Sequence, residues 1–210
     1  MKRRIPTLVL LALSWSLPVR AQTKVELEIA PFAGMTFYLN GLPARFALQR
    51  GEADPLIVED GRYDDGVTLG VHGGVRLGDR IAVEGMFSWV PTRLHAKAGL
   101  PGEMDVNGFM YGGSLTYILP FSWDIEPFLG VGIGAETYDY EATGVEIDTE
   151  LMGNVYAGFH YPLRSHLGLR FELRDCVTWF DSRIPGAENQ AQNDLMATVG
   201  LAVRVPLFGR

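Results

Sequence analysis

A general base, a nucleophile and an orienting acid can be drawn from this sequence on paper: His72, Ser88 or Ser114, and Glu84. Such a set would serve acyl transfer, but a triad is defined by mutual geometry and not by inventory. The other histidines offer less. His95 lies in a long connection with no serine beside it, and His160 and His166 fall near a short turn. Interior hydrogen-bonding roles are therefore the expectation for these groups. A denser constellation begins at residues 167–175, LGLRFELRD, where Leu167, Leu169, Phe171 and Leu173 alternate with Gly168, Arg170, Glu172 and Arg174. The same alternation places Glu26, Glu28, Arg76, Glu84, Glu126, Glu136 and Arg204 on an equivalent face. Enclosed alone, each of these charges is costly; paired, arginine and glutamate satisfy one another. Met86, Met110, Met152 and Met196 share that face. Methionine adapts to irregular apolar surroundings, so the set is either a pocket for a hydrophobic small molecule or the filler of a packed core. The packed core is the expectation.

The elements that position these residues repeat with period two. Eight segments alternate, near 25–39, 66–77, 81–90, 105–119, 125–138, 150–161, 167–180 and 194–207. Period two sends successive side chains to opposite faces of a strand. One face carries residues such as Val67, Leu69 and Val71, or Leu129, Val131 and Ile133; the other carries the charges and many of the 25 glycines. Connections near 78–80, 120–124 and 162–166 are short, and those near 40–65, 91–104, 139–149 and 181–193 are longer. The pattern predicts an all-β fold, an eight-stranded antiparallel up-and-down transmembrane β-barrel. Its closure is required because an open edge would leave backbone groups unpaired in hydrocarbon. A soluble ligand-binding barrel would exchange the two faces, but glycines such as Gly130, Gly132 and Gly134 suit a crowded lumen better than a solvated exterior. Phe37, Trp89, Phe109, Tyr111 and Trp179 predict one aromatic band, and Tyr117, Phe159, Tyr161, Phe121 and Trp123 predict the other.

The ends and the composition bound the rest. Residues 1–21 have a basic start, Lys2, Arg3 and Arg4, an apolar stretch and small residues before Gln22, which predicts a secretory signal peptide followed by one barrel domain over 22–210. Its removal takes four of the 18 basic residues and none of the 25 acids, moving the formal charge from −7 to −11. A chain this acidic is a poor nucleic-acid binder. Cys176 is the only cysteine, so no intramolecular disulfide forms. Acids crowd residues 139–150 and the 26-residue connection 40–65, without the spacing of a calcium loop, so no metal or cofactor is expected and the surface is read as solvated. A connection as long as 40–65 is a candidate for recognition of an extracellular ligand. Asp175 falls by parity on the lipid face, which suggests an interfacial depth or a bulge that turns it toward Arg174.

The signal peptide, eight alternating strands, the turn–loop asymmetry and the interior charges resemble the small outer-membrane barrels of the OmpA transmembrane-domain and OmpX type, with OmpW-like barrels as second choice. The resemblance covers about residues 25–208. The ending VGLAVRVPLF is similar to the signal such chains offer the barrel-assembly machinery, with Gly200, Val203, Val205 and Phe208 at its glycine and hydrophobic positions. It departs at Val199, where a polar residue is usual, and in ending on Gly209 and Arg210 rather than on an aromatic residue. The resemblance implies the bacterial outer membrane, with its lipids and lipopolysaccharide as surroundings. The interior charges and the narrow lumen predict a plug formed by the Arg/Glu network, and a non-enzymatic structural or surface-interaction role is the expectation. OmpW-like barrels would imply a binder or conduit for hydrophobic molecules, and lipid A deacylases and palmitoyltransferases resemble the architecture as the enzymatic alternative.

Overall fold

The computed structural model describes residues 24–51, 53–99, 102–121, 124–141, 145, 147–184 and 190–208. The expected signal peptide, Trp123, Gly209, Arg210 and parts of the acidic connections lie outside the described residues. Eleven strands follow one another: β1 (Val25–Tyr38), β2 (Arg45–Arg50), β3 (Ala53–Glu59), β4 (Arg62–Tyr63), β5 (Gly66–Leu77), β6 (Ile81–His95), β7 (Met104–Ile118), β8 (Glu126–Tyr140), β9 (Asp148–Arg164), β10 (Leu167–Phe180) and β11 (Gln190–Phe208). Eight of them close a barrel. β1 pairs with β5 and β11, and sequential antiparallel pairing from β5 through β11 completes the ring.

Closure follows from the alternation. Val83, Leu115, Val131, Ile133, Leu151, Val155 and Leu173 all face outward and are more than half exposed, an apolar band that only a bilayer covers. The aromatic bands lie at its edges: Trp89, Tyr111 and Trp179 near the long connections, Tyr117, Tyr161 and Phe121 near the short turns, all exposed. Several strands run past the segments expected from the alternation, β6 to His95 and β11 back to Gln190. Pairing continues there without an apolar outer face, as where Arg93 opposes Asp105 and their side chains approach to 3.4 Å.

Two expectations change. Residues 40–65 are not one irregular connection, because Arg45–Arg50 and Ala53–Glu59 form a hairpin and Arg62–Tyr63 joins the wall against β6. The hairpin's inner face, Phe46, Leu48 and Val58, is buried, and so is Ala47. No bulge turns Asp175 inward either. The register runs unbroken through Asp175↔Leu195 and Asp175↔Val155, so the side chain stays on the outer wall, partly buried among its neighbours.

Candidate functional site

The lumen holds the chain's candidate chemistry, and Arg170 is its centre. Its guanidinium donates to both carboxylate oxygens of Glu84 at 2.9 Å, to Glu172 at 2.6 and 3.1 Å and to Glu28 at 3.3 Å. Around the ring β10 and β6 lie on opposite walls, so the bidentate Arg170–Glu84 pair crosses the lumen. Arg174 donates to Glu172 at 2.8 Å and to Asn154. Toward the short turns, Arg204 donates to Glu28 and Glu126, each at 2.8 Å, and Arg76 donates to Glu126 at 2.9 Å. Direct contacts thus join eight of the ten charges expected on the inner face: Glu28, Arg76, Glu84, Glu126, Arg170, Glu172, Arg174 and Arg204. The other two stand apart. Glu26 pairs with Lys24 at 2.8 Å, and Glu136 accepts from Thr178 at 2.8 Å and pairs with no arginine among the described residues.

Two aromatic rings carry the central arginines. The Arg170 guanidinium lies 4.6 Å from the Phe128 ring centre, and that of Arg174 lies 3.9 Å from the Tyr156 ring centre, a cation–π geometry that strengthens as water is excluded. Glycine makes room for both rings. A Cβ on Gly158 would stand 2.5 Å from the Phe128 ring, and one on Gly130 would stand 2.1 Å from that of Tyr156. The glycines of the inner face, read in the sequence only as small, are sockets for rings that stack on cations. Parity also places Phe128 and Tyr156 inside, but nothing in the sequence says which arginine each will meet.

Above this network, Met86, Met110, Met152 and Met196 pack with Phe32 and Cys176 in one buried cluster. Farther out, Glu136 and Asp194 are fully buried, and Gln192 donates to Asp194 at 3.0 Å. At the outer mouth the β2–β3 hairpin turns its apolar face inward. Phe46 meets Phe180 edge to face with ring centres 5.3 Å apart, and the Ala47 N–H donates to the Ser182 carbonyl at 3.0 Å. Tyr63 stacks on Tyr138 at 4.9 Å and shares a 2.8 Å hydrogen bond with Tyr140. Burial at this mouth raises the Tyr63 phenol well above its ordinary pKa.

The hydrolytic set does not assemble. His72 is buried against Phe32, with ring centres 4.6 Å apart and Nε2 3.8 Å from Glu172. Neither ring nitrogen bonds a serine: the Ser88 hydroxyl has no hydrogen-bond partner among the described residues, and Ser114 accepts from Tyr156 at 3.0 Å. His160 pairs with Glu28 at 3.1 Å, and His95 pairs with Asp64 at 2.8 Å. Among the described residues no group of three or more histidine, cysteine or acidic side chains has a metal-binding arrangement.

Comparison with known proteins adds the family. The model of the outer membrane protein beta-barrel domain matches residues 8–204. No curated protein matches the chain. Among solved structures, the outer membrane protein OprG from Pseudomonas aeruginosa is similar at 14% identity, covering 88% of this chain and 97% of its own, with a TM-score of 0.54. The outer membrane protein AlkL, solved in DMPC lipid bilayers, is similar at 15% identity over 100% of this chain and 99% of its own, TM-score 0.53. Neisserial surface protein A is similar at 13% identity over 85% and 96%, TM-score 0.52. At these identities the likeness speaks for the fold.

Proposed function

The chain belongs to the outer membrane protein beta-barrel domain family and is a protein of the bacterial outer membrane, and on that premise we propose that it is a closed, non-enzymatic barrel with a structural or surface-interaction role. The observation that carries the reading is the Arg170–Glu84 pair between opposite walls. A bidentate pair with further carboxylates around it ties the lumen shut at its narrowest chemistry. Eight strands leave a lumen that side chains alone can fill, and the inward-turned hairpin supports closure from outside. The exposed parts of the first loop, including Arg45, Asp54 and Asp60, are then the surface offered to an extracellular ligand. Outer-membrane lipids and lipopolysaccharide surround the wall, and the barrel-assembly machinery is the partner during insertion.

A hydrophobic-molecule binder or conduit would need the methionine cluster to be open. Its side chains instead touch one another, Phe32 and Cys176, which favours a packed core. A hydrophobic fluorescent probe titrated into the reconstituted protein should show no saturable binding. Met110→Arg with Met152→Arg should impair folding through overpacking and buried charge. Saturable binding by the wild type, lost in a folded double variant, would establish the conduit instead.

A further inference from the structure

Between the methionine cluster and the aromatic mouth, the lumen holds a layer whose polar atoms are oxygens. Parity turns Glu136 and Tyr138 of β8, Thr178 of β10, and Gln192 and Asp194 of β11 inward together, and all are buried. Register sets their depth. Glu136 stands across from Met110, Thr178 from Met152 and Gln192, and Asp194 from Cys176 and from Tyr38 of β1. The contacts meet at the two carboxyl groups. Thr178 donates to Glu136 Oε2 at 2.8 Å, and Gln192 Nε2 donates to Asp194 Oδ1 at 3.0 Å. The two carboxyl groups lie within hydrogen-bonding reach of each other, and the Tyr138 hydroxyl lies against Glu136. The Tyr38 hydroxyl crosses to the same place: a Cβ on Gly108, the register partner of Tyr138, would stand 3.5 Å from it. No basic side chain among the described residues pairs with either acid.

The layer is unbalanced. Glu136 Oε1, Asp194 Oδ2, Gln192 Oε1 and the hydroxyls of Tyr38 and Tyr138 are buried with no hydrogen-bond partner among the described residues. Two buried carboxylates without a cation are costly. One shared proton would still leave a negative charge here, and it would leave Gln192 Oε1 without a donor. A divalent cation cancels both charges and takes lone pairs from several of these atoms at once. The donors are all oxygen, which selects a hard cation. Calcium accepts about six to eight such ligands in flexible geometry, whereas magnesium demands a near-ideal octahedron and keeps several waters. A layer roofed by the Tyr63–Tyr138 stack and floored by methionine suits calcium better. We propose that Glu136 and Asp194 form a calcium site in the outer lumen, completed by Gln192 Oε1 and the phenol oxygens of Tyr38 and Tyr138. With two acids rather than three or more, the site relies on neutral oxygens for the rest of its shell.

The test folds the mature barrel, in chelator, into phosphatidylcholine vesicles free of lipopolysaccharide. Terbium is then titrated as a calcium-sized probe that is excited through a phenol ring beside it. One saturable site with sensitised emission is expected, displaced by calcium and not by equal magnesium. Calcium should also raise the thermal unfolding midpoint relative to chelator. Glu136→Gln and Asp194→Asn keep side-chain volume; each should weaken terbium binding about tenfold or more and abolish the calcium shift. Gln192→Met removes a neutral ligand and no charge; it should weaken binding as well, and it decides the matter where a charge variant does not fold. Glu141→Gln, in the exposed acidic connection, should change neither readout. Emission and a calcium shift that survive all three luminal substitutions would place the ion on the loops. A wild type indifferent to calcium but stabilised by mild acid would show that a shared proton holds the pair. Either result would overturn the assignment, and so would a wild type that binds no terbium.

Discussion

Arg170→Ala is expected to lower the stability of the reconstituted barrel by about 3–5 kcal/mol, the cost of leaving a buried carboxylate without its partner. Arg170 is 2% exposed and contacts Glu28, Glu84 and Glu172. Among the described residues, its removal leaves Glu84 with the Tyr156 hydroxyl at 3.5 Å as its hydrogen-bond partner, while Glu28 and Glu172 retain other cations. The stranded group is therefore chiefly Glu84, and Arg170→Ala combined with Glu84→Gln should recover part of the loss. The control is Arg45→Ala. Arg45 meets Glu59 at 3.2 Å, but both side chains are about half exposed, and a pair of this kind contributes little. Its replacement should cost under about 0.5 kcal/mol. Denaturant unfolding followed by tryptophan fluorescence in lipid vesicles measures all three variants. Equal midpoints for Arg170→Ala and Arg45→Ala would mean that water solvates the interior.

Phe46→Ala should release the hairpin from the outer mouth without opening the wall. Phe46 is 1% exposed and packs on Phe180, and removal of a buried phenyl costs about 3–5 kcal/mol. The loss falls on the docking of β2–β3, which meets the rest of the chain through that face, the Ala47–Ser182 hydrogen bond and the bridge between Glu59 and Ala98. Amide exchange at Phe46 and Ala47 should accelerate about a hundredfold or more, with the amides of β6 and β10 unchanged. Unaltered exchange at Ala47 would show that the hairpin is held by something other than its apolar face.

The barrel was legible in the sequence because closure in a bilayer leaves one solution to a chain of eight alternating strands. Parity alone put Arg170, Glu172 and Arg174 inside with Glu28 and Glu84. The residues it could not resolve are those whose fate depends on a third dimension. Glu136 has the same parity as Glu126, yet it stands across from Met110 of the methionine cluster and accepts from Thr178, with no arginine partner among the described residues. The first loop reads as acidic and solvated when its charges are counted. Phe46, Leu48 and Val58, spaced to share one face of a hairpin, carry the opposite message. Asp175 follows strict parity onto the outer wall, and the bulge suggested by its cost in lipid is not needed for the register. The pairing of Phe128 with Arg170 and of Tyr156 with Arg174 depends on barrel stagger, which single-strand periodicity does not encode.

The central claim is that the lumen is closed, and single-channel recording of the mature protein in planar lipid bilayers tests it most directly. The wild type should insert without steady conductance, and Arg170→Ala with Glu84→Ala, which removes the bridge between opposite walls, should show flickering openings that grow further when Phe46→Ala is added. Stable, ohmic channels from the wild type at low voltage would contradict a sealed barrel and make the lumen a pore.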